Sequence, residues 1–240
     1  MIFRQLFDPD SSTYSYLIGD QSTRKALLID SVLERTDQTL QLLKQLNLNL
    51  CLAIDTHTHA DHITGLGALR DATGCTTMMG QESMADCLSG TFSDGDQLAV
   101  GELSIEAIYS PGHTDDSYSF YLPAALSGDH PAMLFSGDTL LIRGTGRTDF
   151  QNGSAEKQYH SLFNRLLQLP DETLVYPAHD YKGWMVSSIG EEKRHNSRLQ
   201  VKTAAAYIAI MAELNLPNPA MMDVAVPANQ SCGNVVTSSE

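Results

Sequence analysis

Thr56-His57-Thr58-His59-Ala60-Asp61-His62 sets three imidazoles and a carboxylate within six residues, directly behind the apolar run Leu50-Cys51-Leu52-Ala53-Ile54. That run has the composition of a buried strand, and Gly65, Leu66 and Leu69 beyond the motif mark a loop passing into a helix. The four polar side chains therefore crowd onto a strand-to-helix loop. Neutral imidazole is the commonest protein ligand for first-row metals, and a neighbouring carboxylate lowers the net positive charge of such a site. A solvated polar loop accounts for one histidine but not for H-x-H-x-D-H spacing, so the stretch reads as one half of a metal site.

Working outward, the remaining ligands are sought at other strand ends. Residues 103–109 and 97–100 predict a hairpin through Gly101-Glu102, and its second strand delivers Ser110-Pro111-Gly112-His113-Thr114, where Pro and Gly force a sharp turn and expose His113. The apolar strand 132–135 stops at Ser136-Gly137-Asp138, a carboxylate just past a glycine that permits close backbone approach. Strand 173–176 presents Pro177-Ala178-His179-Asp180, again a proline shortly before a histidine. Five of the eight histidines thus sit at strand edges: His57, His59, His62, His113 and His179. His130, in the loop 126–131, reads as solvated surface.

The rest of the pattern is α/β. Residues 2–7, 14–18 and 26–29 alternate with turn signals and predict an antiparallel meander; Asp30 and Ser31 then cap a helix carrying Leu33, Leu40, Leu43 and Leu46. A short helix over 63–72 ends near Gly74, a strand follows at 76–79, and 80–93 stays unassigned. Strand 118–122, a helix capped by Ser154 and helical sequence over 191–214 complete the pattern, with an irregular tail from about 221. No linker or repeat divides the chain, so 1–240 reads as one domain: two sheets face to face with helices outside and a site along one edge.

At 240 residues the chain can bury a full core, and its 42% hydrophobic and 18% charged shares are those of an ordinary soluble globule. The 29 acids against 15 bases leave a net charge of -14, which argues against nucleic acid and against an anionic membrane surface. Cys51, Cys75, Cys87 and Cys232 show no C-x-x-C spacing, so structural disulfides are not indicated, and Cys232 reads as an inert, partly buried thiol. The N-terminus lacks an h-region or transit pattern, and no stretch is long and apolar enough to span a bilayer. The expected compartment is reducing and cytoplasmic.

H-x-H-x-D-H, a distant His, an Asp and a final His resemble the metallo-β-lactamase superfamily, which implies an αββα sandwich. Within it the chain looks like the persulfide dioxygenases, on the runs from Thr56 to Gly65, from Leu140 to Gln151 (LLIRGTGRTDFQ), from Tyr176 to Tyr181 (YPAHDY) and Val226-Pro227-Ala228-Asn229. The resemblance implies one Fe(II) per chain held by His57, His113 and Asp138, with His59, Asp61, His62 and His179 as catalytic residues around it that hydrogen-bond its ligands or waters. It implies oxidation of glutathione persulfide by O2 and water to sulfite and glutathione, and it allows a homodimer. Arg143, Arg147, Lys182, Arg194 and Arg198 supply the basic patch that glutathione's carboxylates require, and the resemblance favours Arg147, Tyr181 and Arg198 as substrate contacts. Asn196-Ser197-Arg198 stands where relatives often have Asn-Pro-Arg. The competing reading is a glyoxalase II-like thioesterase with a second metal at Asp61, His62 and His179; the short chain after His179 and the run from Ile142 to Phe150 stand against it.

Overall fold

Strands β1 (Ile2–Asp8), β2 (Thr13–Gly19) and β3 (Lys25–Ile29) form the expected antiparallel meander. The computed structural model describes residues 1–217 and 221–234. It divides into two compact units, one of Met1–Phe92, Ala99–Leu103 and the described C-terminal residues, the other of Ser93–Leu98 and Ser104–Pro217.

In the first unit the meander continues in parallel through β4 (Asn49–Ile54), β5 (Thr76–Gly80) and β6 (Gly90–Phe92), in spatial order β1 to β6. Parallel neighbours need crossovers: α1 (Thr36–Gln45) supplies that from β3 to β4 and α2 (Leu66–Thr73) that from β4 to β5, while residues 81–89 join β5 to β6 without a helix. Leu17, Leu28, Leu43, Ala53, Leu66 and Leu69 share one buried cluster, which draws both helices onto the sheet. Gly74, at φ 72°, ends α2 by donating its N–H to the Arg70 carbonyl, as the sequence predicts.

The second sheet runs β12-β11-β10-β9-β8-β7, built from β7 (Gln97–Val100), β8 (Leu103–Tyr109), β9 (Tyr118–Leu122), β10 (Met133–Gly137), β11 (Leu174–Pro177) and β12 (Ser187–Ser188). The pairs β8/β9, β9/β10 and β11/β12 are antiparallel and β10/β11 is parallel. Between the parallel strands lies α3 (Ala155–Asn164), whose Ser154 side chain accepts from the Lys157 N–H, the cap read from sequence. Tyr207, Leu134, Leu162 and Val175 lie in one buried cluster.

Three features differ from expectation. The helical sequence over 191–214 is interrupted: α4 (Ile189–His195) and α5 (Ala204–Ala212) are separated by a 3-10 turn at Ser197–Leu199. Asn196 ends α4 because its buried amide donates to the Gly144 carbonyl and the Glu192 carboxylate while its oxygen caps the turn. The tail expected to be irregular from about 221 instead forms α6 (Met222–Gln230); its remaining residues, 235–240, lie outside the described part. Pro227 removes a backbone donor inside α6, yet buried Ala225, Ala228 and Asn229 hold it in place. Finally, Cys87 and Cys232 are joined by a disulfide, against the reading of unpaired thiols. They lie 145 residues apart, so no local spacing announces the pair.

A stability prediction arises at the start of the first unit. Buried Asp20 accepts from the Ser22 N–H at 2.9 Å, the Glu102 N–H at 2.8 Å and the Thr23 hydroxyl. The Thr23 hydroxyl, ahead of the two N–H groups, holds its carboxyl far below the usual range. A depressed carboxyl contributes stability that is present above the unfolded value of 3.8 and lost as pH falls through the folded one. Asp20→Ala is therefore expected to destabilise by about 2 kcal/mol at pH 7, with the gap in urea midpoint narrowing below pH 3.8. A gap independent of pH over that window contradicts the account.

Candidate metal centre

In the first unit the H-x-H-x-D-H stretch leaves the buried end of β4 as a loop, fixed from beneath by two buried carboxylates. Asp30 follows β3 and Asp55 follows β4, so both stand at sheet ends. Asp30, at φ 53°, accepts from the Thr56 N–H at 2.6 Å, from the Thr56 hydroxyl at 3.1 Å and from His59 Nε2 at 3.2 Å. Asp55 accepts from the Thr64 hydroxyl at 2.6 Å. Burial pushes both carboxyls up, while His57 pulls Asp30 back down and Asp30 pushes Asp55 further up. The helix-capping role read for Asp30 does not hold: the first helical turn has no side-chain cap, and Asp30 points its acceptors at the histidine loop.

These bonds decide which nitrogen each imidazole can offer. An ionised carboxylate only accepts, so His59 Nε2 carries the proton and Nδ1 keeps the lone pair. The Thr56 hydroxyl donates to Asp30, which leaves its oxygen to accept from His57 Nδ1 at 2.9 Å and puts the His57 lone pair on Nε2. His62 Nδ1 lies 2.9 Å from Asp61 Oδ2 and 3.2 Å from the Thr13 hydroxyl, which itself donates to Asp61 at 3.1 Å. Ring centroids stand 4.1 Å apart for His57 and His59 and 4.4 Å for His59 and His62.

In the second unit, Asp138 joins His113 and His179. His179 Nδ1 donates to Asp138 Oδ1 at 2.7 Å, and Asp138 Oδ2 lies 3.5 Å from His113 Nε2. His113 Nδ1 is 2.8 Å from the Arg147 carbonyl, an acceptor only, so Nδ1 carries the proton and Nε2 the lone pair. A carboxylate oxygen and an imidazole lone pair at 3.5 Å repel unless a cation or proton serves both. This donor set fits a divalent metal.

The run 140–151 seats this pair. Gly146 donates its N–H to the Asp138 carbonyl at 2.7 Å, and a Cβ there would stand 2.4 Å from that oxygen and 2.8 Å from His113 Nδ1. Gly112, at φ 147°, lets the His113 turn lie against α3, where a Cβ would meet Gln158 at 2.2 Å. Only glycine meets either approach.

The expected substrate contacts fare unevenly. Tyr181 is 72% exposed and its ring is parallel to His179 at 6.2 Å. Arg198 is half-buried and donates to the Thr145 carbonyl and hydroxyl; burial lowers its pKa. Arg147 is already gripped: its guanidinium makes two 2.6 Å bonds to Asp149, donates to the Pro217 and Leu216 carbonyls, and lies over the Phe150 ring. Arg143 is likewise committed, to buried Glu192. His130 is exposed, as expected.

Residues of a kind to hold a metal are therefore His57, His59, Asp61 and His62 in the first unit and His113, Asp138 and His179 in the second, all buried but Asp61. Sequence reasoning missed Thr13, Asp30, Asp55 and Asn229 around them. The signal for the two carboxylates was present, since each directly follows an apolar strand, as Asp138 does.

The model of the metallo-beta-lactamase superfamily matches residues 8–179. Persulfide dioxygenase ETHE1 of Bos taurus, described as mitochondrial, is 46% identical over 97% of this chain and 89% of its own. The crystal structure of ETHE1 from Myxococcus xanthus superposes with a TM-score of 0.92 at 54% identity, over 98% of this chain and all of that one. A metallo-beta-lactamase structure from Staphylococcus aureus gives 0.90 at 25% identity, over all of this chain and 75% of that one.

Proposed function

Since the chain belongs to the persulfide dioxygenase family of the metallo-β-lactamase superfamily, with that superfamily's α/β fold, we propose that it oxidises glutathione persulfide with O2 and water to sulfite and glutathione. The carrying observation is 46% identity to a persulfide dioxygenase over 97% of the chain, which takes in the 140–151 run that seats His113 and Asp138. The family model runs through both compact units, which supports treating them as one domain.

In this proposal His57, His113 and Asp138 hold one ferrous ion. Two imidazoles and one carboxylate leave positions where iron, when bound, lets a sulfur and O2 react together. The chain's own groups orient and hold protons. The Arg147 carbonyl keeps the His113 proton on Nδ1, and the Thr56 oxygen does the same for His57. Asp138 takes the Nδ1–H of His179, which fixes the ring's orientation and puts its lone pair on Nε2. Asp30 fixes His59 and Asp61 fixes His62.

Arg198 and Tyr181 are the proposed contacts for the glutathione half. Arg147 joins them by sharing a guanidinium that Asp149 already holds. The net balance is one persulfide, one O2 and one water giving one thiol and sulfite. A homodimer and a cytoplasmic setting are parts of the proposal. No helix among the described residues is long and apolar enough to cross a membrane.

The experiment is purification without added metal, followed by iron and zinc per chain and oxygen uptake. About one iron per chain, with uptake only when glutathione persulfide is supplied, is expected. Paired metals with hydrolysis of a glutathione thioester and no uptake would establish the dinuclear alternative at Asp61, His62 and His179.

A further inference from the structure

The histidine loop is held by side chains of the strands beneath it and also by the last described element of the chain. Asn229 of α6 is buried, and its amide is spent wholly on this loop: Oδ1 accepts from the Thr64 N–H at 2.8 Å, and Nδ2 donates to the His59 and His62 carbonyls at 2.9 Å each. Past the helix the contact becomes backbone on backbone. The Cys232 carbonyl accepts from the Gly67 N–H at 3.1 Å, and a Cβ on Gly67 would stand 2.5 Å from that oxygen. Gly233, at φ 87°, approaches so that a Cβ would lie 2.3 Å from the Thr64 carbonyl.

Nothing local makes α6 persist. It is a nine-residue helix interrupted by Pro227, and isolated helices of that length are marginal. What ties it covalently is the disulfide from Cys232, buried just past α6, to Cys87, half-buried in the segment between β5 and β6. The bridge spans 145 residues, so opening it returns much conformational freedom to the C-terminal segment. The segment then depends on two buried alanines of α6, on Asn229 and on a few backbone bonds, the kind of element that opens locally.

We propose that the Cys87–Cys232 disulfide is a redox clasp that keeps Asn229 on the histidine loop, so that its reduction by a low-molecular-mass thiol loosens the loop and speeds loss of the bound metal. Asn229 is then a positioning residue for His59 and His62 and, through the loop they share, for His57. A thiolate attacks the Cys87 sulfur, the more accessible of the two, forming a mixed disulfide; Cys232 leaves as a thiolate and takes a proton. A second thiol attacks the sulfur of the first, so that Cys87 leaves as a thiol. Net, two thiols become one small disulfide and the protein gains two thiols. Glutathione, the product proposed above, belongs to the class that opens the clasp. The inference rests on that proposal only in taking these histidines to be at the metal; it holds for zinc as for iron.

The test uses metal-loaded full-length protein, oxidised or pre-reduced anaerobically with glutathione and desalted. Reduction is expected to speed metal release to a colorimetric chelator roughly 10-fold, the lower end of what removing a ligand-orienting partner does. Amide hydrogen exchange at Thr64 and Gly67 should rise with it. Cys87→Ala should release metal at the fast rate with or without glutathione, and Asn229→Ala should do so with the disulfide intact. Equal release from oxidised and reduced wild type, or unchanged exchange at those two amides, overturns the proposal. Should the protein prove to carry paired zinc and consume no oxygen, the proposed function fails while release and exchange still decide the clasp.

Discussion

Asp138→Ala is expected to strip the protein of its metal and to lower turnover by more than the roughly 100-fold typical of losing an orienting partner. Two effects compound. The carboxylate is the proposed ligand that offsets the positive charge of the ion, and it accepts the Nδ1–H of His179 at 2.7 Å. Alanine would leave that buried N–H with no acceptor, a cost of about 1–3 kcal/mol. Asp138→Asn separates the two, because its amide oxygen still accepts from His179 while the charge is gone. That variant should keep stability near wild type and still bind metal poorly. Metal content and oxygen uptake near wild type in the alanine variant would remove Asp138 from the centre.

The second large effect is expected at a residue that touches no proposed substrate. Asp30→Asn keeps the size of the side chain but leaves one acceptor oxygen where the carboxylate serves the Thr56 N–H, the Thr56 hydroxyl and His59 Nε2. An amide oxygen in the Oδ1 place leaves the Thr56 hydroxyl that orients His57 without its acceptor, and an amide nitrogen there takes the acceptor from the Thr56 N–H and His59 Nε2 instead. Metal affinity or activity should fall about 10- to 100-fold. The metal-free protein should lose about 1–3 kcal/mol, the cost of a buried donor left without an acceptor, offset in part because burial already disfavours the Asp30 charge. The informative result is therefore a loss of metal affinity larger than this loss of stability accounts for. If stability drops while metal affinity stays near wild type, Asp30 is a structural residue and its role at the histidines is wrong.

Much of this was legible in the residues because strand ends and metal ligands leave local marks. Apolar runs stopping at His57, His113, Asp138 and His179 place each at a sheet edge, and glycine or proline beside them fixes the turn. Ser154 announced α3 by the same local logic. The misreadings share the opposite character. A break after α4 depends on Asn196 reaching Gly144, and α6 depends on burial that overrides Pro227.

From its sequence alone the chain's α/β class, its family resemblance and the residue types offered to a metal could be read, since periodicity, turn chemistry and imidazole spacing act over a few neighbours. Only the tertiary structure decided which imidazole nitrogen carries the proton, that Asn229 lies on a loop 165 residues earlier at Thr64, and that Cys87 meets Cys232. Those depend on hydrogen bonds and a covalent bond that form only after distant segments have met, and no short window of sequence carries their geometry.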